Sequence, residues 1–360
     1  MQYRLPFFQD VSEKYEATFL FPKSGQAEPV EGVNHQLFPT RFGIAFSLLF
    51  HLLRTDYDVI VNGEMGGMTG LFQTASIFLI ARLRGIPHVM WTERYQPPTI
   101  NLRFRFLVLL YRVVLPYSAA CLVPGVRHKE FAVWCGADDD RVIWMPTVSQ
   151  LSDNPSAFQR ATAPDTGDDS AQTILFVGRL ERVKGVEYLV RAVAQLQQSH
   201  TISLRIGGTG SDEQRLRELV ATCNVDNVSF EGWLSQEDLP SYYKQADVLV
   251  LPSVTLDSSF SGGSMGDAFG LVCLEAAAFG TPVIVSDAVG AAHEVVIDGE
   301  NGYIVEQRNS TQLASALDRI LSDSEMAYTM SERSAEIASG FTYQAMETGF
   351  NSAIQLAITK

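Results

Sequence analysis

Two acidic residues bracket the start of one predicted helix, and their spacing suggests a ligand that carries both phosphate and hydroxyl groups. Asp267 and Glu275 stand eight positions apart, with Phe269 and Gly270 between them. A helix N-terminus carries unpaired amide groups and a partial positive charge, so this point can hold an anion. Gly270 lets a ligand approach the backbone because it has no Cβ. We therefore expect amides to hold phosphate here while the carboxylates hold the hydroxyls of attached sugars.

Two basic residues follow an earlier strand pattern in the same half of the chain. Arg179 and Lys184 lie five positions apart in the segment 178–185, which begins and ends with glycine. Such a pair can bind a diphosphate from two directions, although a solvated basic turn is the alternative. Gly178 and Gly208, each in a glycine-containing turn after a strand, are further candidate ligand contacts. For the turn around Gly208, an ordinary strand-to-helix connection is the alternative.

Strand and helix patterns alternate along the whole chain, and this alternation predicts how these loops are positioned. It is typical of parallel sheets covered by helices on both faces. The predicted fold class is α/β, with two Rossmann-like domains facing a central cleft in which the ligand lies beyond the carboxyl ends of the strands. We divide the chain into a first domain (1–150), a linker (151–172), a second domain (173–340) and a C-terminal helix (341–360) that packs on the first domain.

The first domain departs from this pattern at its start. A helix pattern covers residues 1–15, where a doubly wound domain would begin with a strand. We therefore expect either that this domain lacks its first strand or that the N-terminus is incomplete.

Charge and cysteine content exclude several classes of function. The net charge of −14 is uneven, since residues 1–150 hold 14 Lys/Arg against 13 Asp/Glu and the remainder holds 13 against 28. An acidic second half argues against nucleic-acid binding, which requires a basic face. The four cysteines show no paired spacing, so we expect buried thiols and no disulfide or zinc framework. No membrane-spanning run or secretory signal is apparent, which predicts a cytoplasmic protein.

The order of these motifs resembles that of retaining glycosyltransferases of the group 1 type (family 4, GT-B fold). The resemblance rests on Gly-Arg-Leu and Lys-Gly within 178–185, Gly-Gly-Thr-Gly at 207–210, Pro-Ser at 252–253, and Asp-Ala-Phe-Gly at 267–270 followed by Glu275. It covers roughly residues 173–306 and is diffuse over the first 150. It implies a metal-independent enzyme without a cofactor, which moves a hexose from a nucleotide diphosphate sugar to a hydroxyl of a glycan, a lipid-linked acceptor or a small acceptor.

The resemblance also implies a role for each matching residue. Arg179 and Lys184 would bind the donor diphosphate, Glu275 the ribose hydroxyls, and Asp267 the donor sugar. The family usually has Glu at the position of Asp267, and the side chain here is shorter by one bond, about 1.5 Å. The predicted donor-binding residues are Gly178, Arg179, Lys184, Gly208, Asp267, Phe269, Gly270, Leu271, Val272 and Glu275.

On the acceptor side the candidates are fewer. Glu93 stands near the place where relatives often have a histidine, and it would contact the acceptor or handle its proton; a surface glutamate is the alternative. The segment 63–70 is a candidate acceptor loop or an ordinary turn. Asp138, Asp139 and Asp140 lack the strand that would precede a metal-binding pair of aspartates, so we predict no metal site there.

A group of basic residues in the first domain suggests that this domain could bind a membrane surface. Residues 41–130 contain ten Lys/Arg against five Asp/Glu, interleaved with aromatic and aliphatic residues. This could seat the first domain on the inner face of the cell membrane, beside a lipid-linked acceptor. The alternative is a core helix with a solvated basic face. For the whole chain two rival functions also stay open: a nucleotide-sugar epimerase of the same architecture, and a degenerate, non-catalytic nucleotide-sugar-binding subunit.

Overall fold

A computed structural model describes residues 4–23, 32–40, 44–64, 67–95, 102–153, 171–256 and 267–359. Within these ranges the chain forms two parallel α/β sheets, each covered by helices, and a separate two-stranded parallel pair. The prediction of an α/β protein with two Rossmann-like domains is confirmed.

The first domain is built on a four-stranded sheet of order β3-β4-β5-β6, with the pair β1-β2 beside it. Alternate strand residues enter different cores: Val89 and Leu122 pack on one face of the sheet, and Met90 and Cys121 on the other. This alternation follows from the pleat of a strand. The strands are β1 (Phe19–Lys23), β2 (His35–Pro39), β3 (Ile60–Gly63), β4 (His88–Trp91), β5 (Ala120–Val123) and β6 (Val142–Trp144). The helices are α1 (Leu5–Lys14), α2 (Phe46–Arg54), α3 (Gly67–Arg84), α4 (Leu102–Val114) and α5 (Val126–Trp134).

The second domain is built on a six-stranded parallel sheet of order β12-β11-β10-β7-β8-β9. Its central strands are continuous apolar runs because helices bury them on both faces. The strands are β7 (Gln172–Val177), β8 (Ile202–Gly207), β9 (Val228–Gly232), β10 (Val248–Leu251), β11 (Val283–Ser286) and β12 (Gly302–Val305). The helices are α6 (Val186–Leu196), α7 (Glu213–Thr222), α8 (Leu239–Gln245), α9 (Leu271–Ala278), α10 (Ser310–Ser322) and α11 (Ser324–Ala338).

The last helix, α12 (Tyr343–Ile358), returns to the first domain. Its buried residues Met346 and Phe350 share a core with Phe7 of α1 and Leu122 of β5. Phe7 and Phe350 meet edge-to-face, with ring centroids 5.4 Å apart. The described part of the chain before α1 contains no strand, and α1 and α12 together cover this face of the sheet.

Some details differ from the sequence prediction. In the segment 63–70, a candidate acceptor loop or an ordinary turn, Gly63 ends β3 and α3 already begins at Gly67, so residues 67–70 are helical and not loop. Strand β2 was not predicted, because its His-Gln-Leu-Phe-Pro sequence lacks a clear apolar period. Residues 154–170 of the predicted linker and 257–266 of the predicted Gly/Ser loop lie outside the described residues.

Candidate active site

The candidate site lies at the point where the order of the second sheet reverses. From β7 the chain proceeds to β8 and β9 on one side, then returns to place β10 on the other. The loops that leave β7 and β10 therefore diverge and open a crevice at the carboxyl ends of the strands. At one point the two loops still touch, because Gly185 at the end of the first loop has no side chain. Its φ is +64°, and a Cβ on it would lie 2.0 Å from the carbonyl oxygen of Pro252 in the second loop.

Lys184 and Asp267 form an ion pair across this crevice. Their side chains are 14% and 19% exposed, so the pair is largely shielded from water. Ser253 also donates its hydroxyl to Oδ2 of Asp267, at 3.4 Å. The sequence predicted both members of the pair as donor-binding residues, and the fold brings them into direct contact.

The backbone of Asp267 is fixed by the neighbouring loop after β11. Its amide donates to the carbonyl of Ala288 at 3.1 Å, and its carbonyl accepts from the amide of Gly290 at 2.9 Å. Two residues further on, the Phe269 carbonyl accepts from Ala291 at 2.7 Å. The acid is therefore held on a braced segment, which positions it next to the first turn of α9.

The N-terminus of α9 opens beside this pair. Gly270 occupies the N-cap position with φ +88°, and among the described residues no side chain caps this end. A Cβ at Gly270 would lie 2.8 Å from Cγ1 of Val289. Phe269 is buried, whereas Leu271 and Val272 are partly exposed and their amides belong to the unpaired first turn. The partial positive charge at this end can hold an anion.

Arg179 and the two candidate glycines occupy the loops after β7 and β8. The side chain of Arg179 is 68% exposed, and its Nη1 donates to Oε1 of Glu181 at 2.8 Å. Because an ion pair this exposed is weak, it leaves the Arg179 side chain free to turn toward a ligand. Gly178 and Gly208 pack backbone to backbone, since a Cβ at Gly208 would lie 1.9 Å from the Gly178 carbonyl oxygen. The glycines thus let the two loops approach each other.

Glu275 lies one turn further along α9 and is 5% exposed. Tyr243 donates its hydroxyl to Oε2 at 2.9 Å, and Ser149 supplies a second hydroxyl. Burial raises the pKa of Glu275, and these two hydrogen bonds lower it again in part. The carboxylate is a hydroxyl acceptor, as its predicted role requires, but in this structure protein hydroxyls fill that role.

Glu93 lies on the first domain, just beyond β4. It forms an ion pair with Arg4, whose guanidinium stacks 4.6 Å from the centre of the Trp91 ring. Among the described contacts, Glu93 is not joined to Lys184 or Asp267. A search of the described residues for clusters of His, Cys, Asp or Glu able to hold a metal ion finds none.

Sequence reasoning missed the residues that join the first domain to this site. Tyr95 donates its hydroxyl to the carbonyl of Ala288 at 2.6 Å. Nη1 of Arg127 donates to the carbonyls of Asp287 and Val289, at 3.0 and 2.9 Å. The Arg127 guanidinium also stacks 4.5 Å from the centre of the Tyr95 ring. These contacts hold the segment that in turn braces Asp267.

His128, at the start of α5, makes a further contact between the domains. Its Nε2 donates to the carbonyl of Ala268 at 3.0 Å, directly beside Asp267. Burial lowers the pKa of His128 to about 4, so its imidazole is neutral near pH 7.

Glu294 reaches in the opposite direction, from the second domain to the first. Its carboxylate approaches the amides of Val126 and Arg127 at the N-terminus of α5, and burial raises its pKa to about 8. Gly125 makes room for it, since a Cβ there would lie 1.4 Å from Oε2 of Glu294. The only sequence signal for this contact is a glycine that follows strand β5 directly before a helix.

Comparison with known proteins shows what the second domain is similar to. Residues 160–337 match the family model described as glycosyl transferases group 1. The chain is related to the group 1 glycosyltransferases. The matched segment contains β7–β12 and therefore the Lys184–Asp267 pair and the start of α9.

Two curated relatives and one solved structure illustrate the relationship. An uncharacterised glycosyltransferase of Methanocaldococcus jannaschii is 40% identical over 156 residues, covering 43% of this chain and 37% of the relative. A D-inositol 3-phosphate glycosyltransferase of Pseudarthrobacter chlorophenolicus is 32% identical over 215 residues, covering 57% and 48%. The matches thus span less than half the length of these two relatives.

The solved structure of HepE from Anabaena, in complex with UDP, has a TM-score of 0.71 at 16% identity. The match covers 94% of this chain and 99% of that one. At this identity the likeness shows the fold, which is the two-domain GT-B arrangement predicted from the sequence.

Proposed function

We propose that the chain is a retaining glycosyltransferase that moves a hexose from a nucleotide diphosphate sugar to an acceptor hydroxyl. One observation carries the proposal: a cation and an acid, Lys184 and Asp267, meet beside the open N-terminus of α9 at the crevice of a parallel sheet. This set offers a cation and amides to a diphosphate and a carboxylate to sugar hydroxyls. The GT-B fold and the group 1 match support it.

The charges of the site suit the departure of a diphosphate. When the bond between the anomeric carbon and the phosphate oxygen breaks, its electron pair stays on the diphosphate. Lys184, Arg179 and the amides of the first turn of α9 would stabilise that negative charge without a metal. The acceptor oxygen forms the new bond on the same face of the sugar, and its proton goes to the departing diphosphate.

Other groups are proposed to contact the nucleotide, its ribose and the acceptor. The HepE structure contains UDP, which supports a nucleoside diphosphate in the equivalent crevice here. Glu275 would accept the ribose hydroxyls if they displaced the hydroxyl of Tyr243 or Ser149. Glu93 stays a candidate for acceptor contact, provided that it exchanges its Arg4 partner.

The test is incubation of the purified chain with a panel of nucleotide sugars, with and without candidate acceptors, and measurement of released nucleotide in the presence of EDTA. We expect one donor to release nucleotide. Removing one positioned donor of charge stabilisation lowers kcat by roughly 100- to 1,000-fold, so Lys184→Ala should show such a loss with the fold intact.

The matched control is Lys244→Ala, which removes an exposed lysine of α8 in the same domain and should leave the rate unchanged. Full activity of Lys184→Ala would show that the diphosphate binds elsewhere. Interconversion of the nucleotide sugar without nucleotide release would instead identify an epimerase, and binding without either reaction a non-catalytic subunit.

A further inference from the structure

The first domain exposes an unusual amount of apolar side chain on three neighbouring helices. On α2, Phe46, Phe50 and Leu53 recur at spacings of four and three and are 48%, 60% and 47% exposed. In an ordinary amphipathic helix, such spacing marks the buried side. Here α2 has a second apolar stripe, with Leu48 and Leu52, which does face the core.

The next two helices repeat this arrangement. On α3, Phe72, Leu79 and Leu83 are 60%, 56% and 75% exposed, and on α4, Leu109 and Val113 are 60% and 53% exposed. Helix α2 packs on α3, and α3 packs on α4, so the three exposed stripes belong to helices that are in contact with one another. We call this surface the apolar face; it is formed by the outward sides of α2, α3 and α4. Monomeric proteins rarely leave such a continuous surface without a partner.

The charged residues on the three helices themselves are all basic, and the one acid paired with them among the described residues, Asp56, lies just beyond α2 and binds Arg84. Helices α2, α3 and α4 contain six arginines and no Asp or Glu, in a chain whose net charge is −14. Arg54, Arg82, Arg105 and Arg112 are exposed on them. A partner for this face therefore has to be apolar within and negatively charged at its surface.

Two aromatic residues border the same face. Arg82 lies 5.4 Å from the centre of the Tyr117 ring, and Arg112 lies 5.1 Å from that of Trp134. Both rings are exposed, at 59% and 40%. Tyrosine and tryptophan favour the boundary between headgroups and hydrocarbon because one end of each ring is apolar and the other polar.

We propose that the apolar face docks the first domain on an anionic lipid surface. Apolar side chains enter the boundary of the acyl chains while the arginines contact the charged headgroups, which supplies the two signals that stable peripheral binding requires. In the part of the chain that the structure describes, none of the helices combines the length and the hydropathy of a membrane span.

A second copy of the chain is the other possible occupant, and the charges argue against it. In a symmetric dimer the same patch meets itself, so the arginines of one copy would approach those of the other. Juxtaposed like charges oppose association. An anionic surface instead neutralises them.

Flotation of the full chain with vesicles tests the proposal without any donor or acceptor, so its outcome is independent of the proposed enzymatic activity. The vesicles are pure phosphatidylcholine or a mixture with 30% phosphatidylglycerol. We expect binding to the anionic vesicles and release at 1 M salt, where the Debye length falls to about 3 Å. Each basic residue near such a surface contributes roughly fivefold to binding, so Arg82→Gln with Arg112→Gln should weaken it roughly 25-fold.

The apolar contribution is tested by Phe72→Ser with Leu79→Ser, which should abolish flotation. The matched control is Trp233→Ser, at a residue of the second domain that is 79% exposed and should not matter. Equal recovery with neutral and anionic vesicles would overturn the proposal. So would a dimer, seen by light scattering, that the Phe72 and Leu79 substitutions convert to monomers, because the face would then join two copies.

Discussion

Asp267 is the residue to which the proposed function assigns contact with the donor sugar. Its carboxylate neutralises Lys184 and accepts the Ser253 hydroxyl, while its backbone is braced by the loop after β11. A diphosphate entering the crevice would compete for Lys184 and release the carboxylate toward the sugar. The ion pair thus keeps both groups in place before the donor binds.

Substitutions of Asp267 should distinguish the effect of its negative charge on activity from the effect of its side-chain length. Asp267→Asn keeps the shape but removes the negative charge, and hydrogen bonds to charged groups contribute about 1.5–3 kcal/mol. We therefore expect kcat/KM for the donor to fall roughly 10- to 150-fold. Asp267→Glu, which carries the acid usual in the family, should retain most of the activity.

Asp226→Asn, at an exposed acid of the same domain, is the control and should have no effect. An active Asn variant together with an inactive Glu variant would contradict a carboxylate–sugar contact. It would indicate that the size of the side chain matters and its charge does not.

Among individual residues, the sequence pointed to the charged side chains of the candidate site but not to the side chains that bind backbone carbonyls of the other domain. Lys184 and Asp267 were predicted as one site because their motifs follow the ends of buried strands. Tyr95 and His128 bind backbone carbonyls, which every residue type supplies, so no partner motif pointed to them. The burial of Glu275 was not foreseen either, since Tyr243 and Ser149 are remote in sequence.

Among the elements, α9 places the amides that the proposed function assigns to the diphosphate, and the helix begins at Gly270. The left-handed backbone there and the contact with Val289 both exclude a side chain. The helix can begin at this point only because the cap residue is glycine.

A pair of glycine substitutions should measure the two contributions separately. Gly299 has φ +80° with nothing within 4 Å of a built Cβ, so Gly299→Ala carries the backbone cost alone, about 1–2 kcal/mol. Gly270→Ala adds the cost of overpacking, about 1–3 kcal/mol more. Urea denaturation of both variants checks this order. A smaller loss for Gly270→Ala than for Gly299→Ala would show that the start of α9 is free to shift.

The elements of the second domain were predicted well because its strands are buried on both faces. Runs such as Val248–Leu251 are apolar throughout and bounded by turn residues, so they cannot be taken for loops. The first domain gave weaker signals. There α3 begins at Gly67, in a glycine-containing segment that local propensity assigns to a turn, and tertiary packing overrides that preference.

For the whole molecule, the contacts between the domains converge on the segment around Asp267. Arg127, His128 and Tyr95 come from the first domain and Glu294 from the second. A movement of one domain relative to the other would therefore alter the position of the acid.

Glu294 should make the stability of this arrangement depend on pH. Burial raises its pKa to about 8, above the usual value of 4.5, so between these values the folded chain binds more protons than the unfolded chain. The contribution of Glu294 to stability therefore decreases as the pH rises through this window. In Glu294→Gln the side chain is always neutral. The melting temperature of this variant minus that of the parent should therefore increase between pH 5 and pH 8.

Glu237→Gln, at an exposed position, is the control and should follow the parent at every pH. The buried histidines His88 and His128 have lowered pKa values, so their contribution to stability increases with pH. This effect is the same in all three proteins and cancels when the variants are compared with the parent. A parallel course of the Glu294→Gln and parent curves would show that Glu294 is already ionised in the folded chain.

The return of α12 to the first domain has a consequence for the order in which the chain folds. Roughly 200 residues separate β6 from α12, and at 5–20 residues per second their synthesis takes about 10–40 s. During that time the face of β4 and β5 that α1 and α12 share is covered by α1 alone. On the ribosome, the first domain thus gains its last core helix only after the whole second domain has been made.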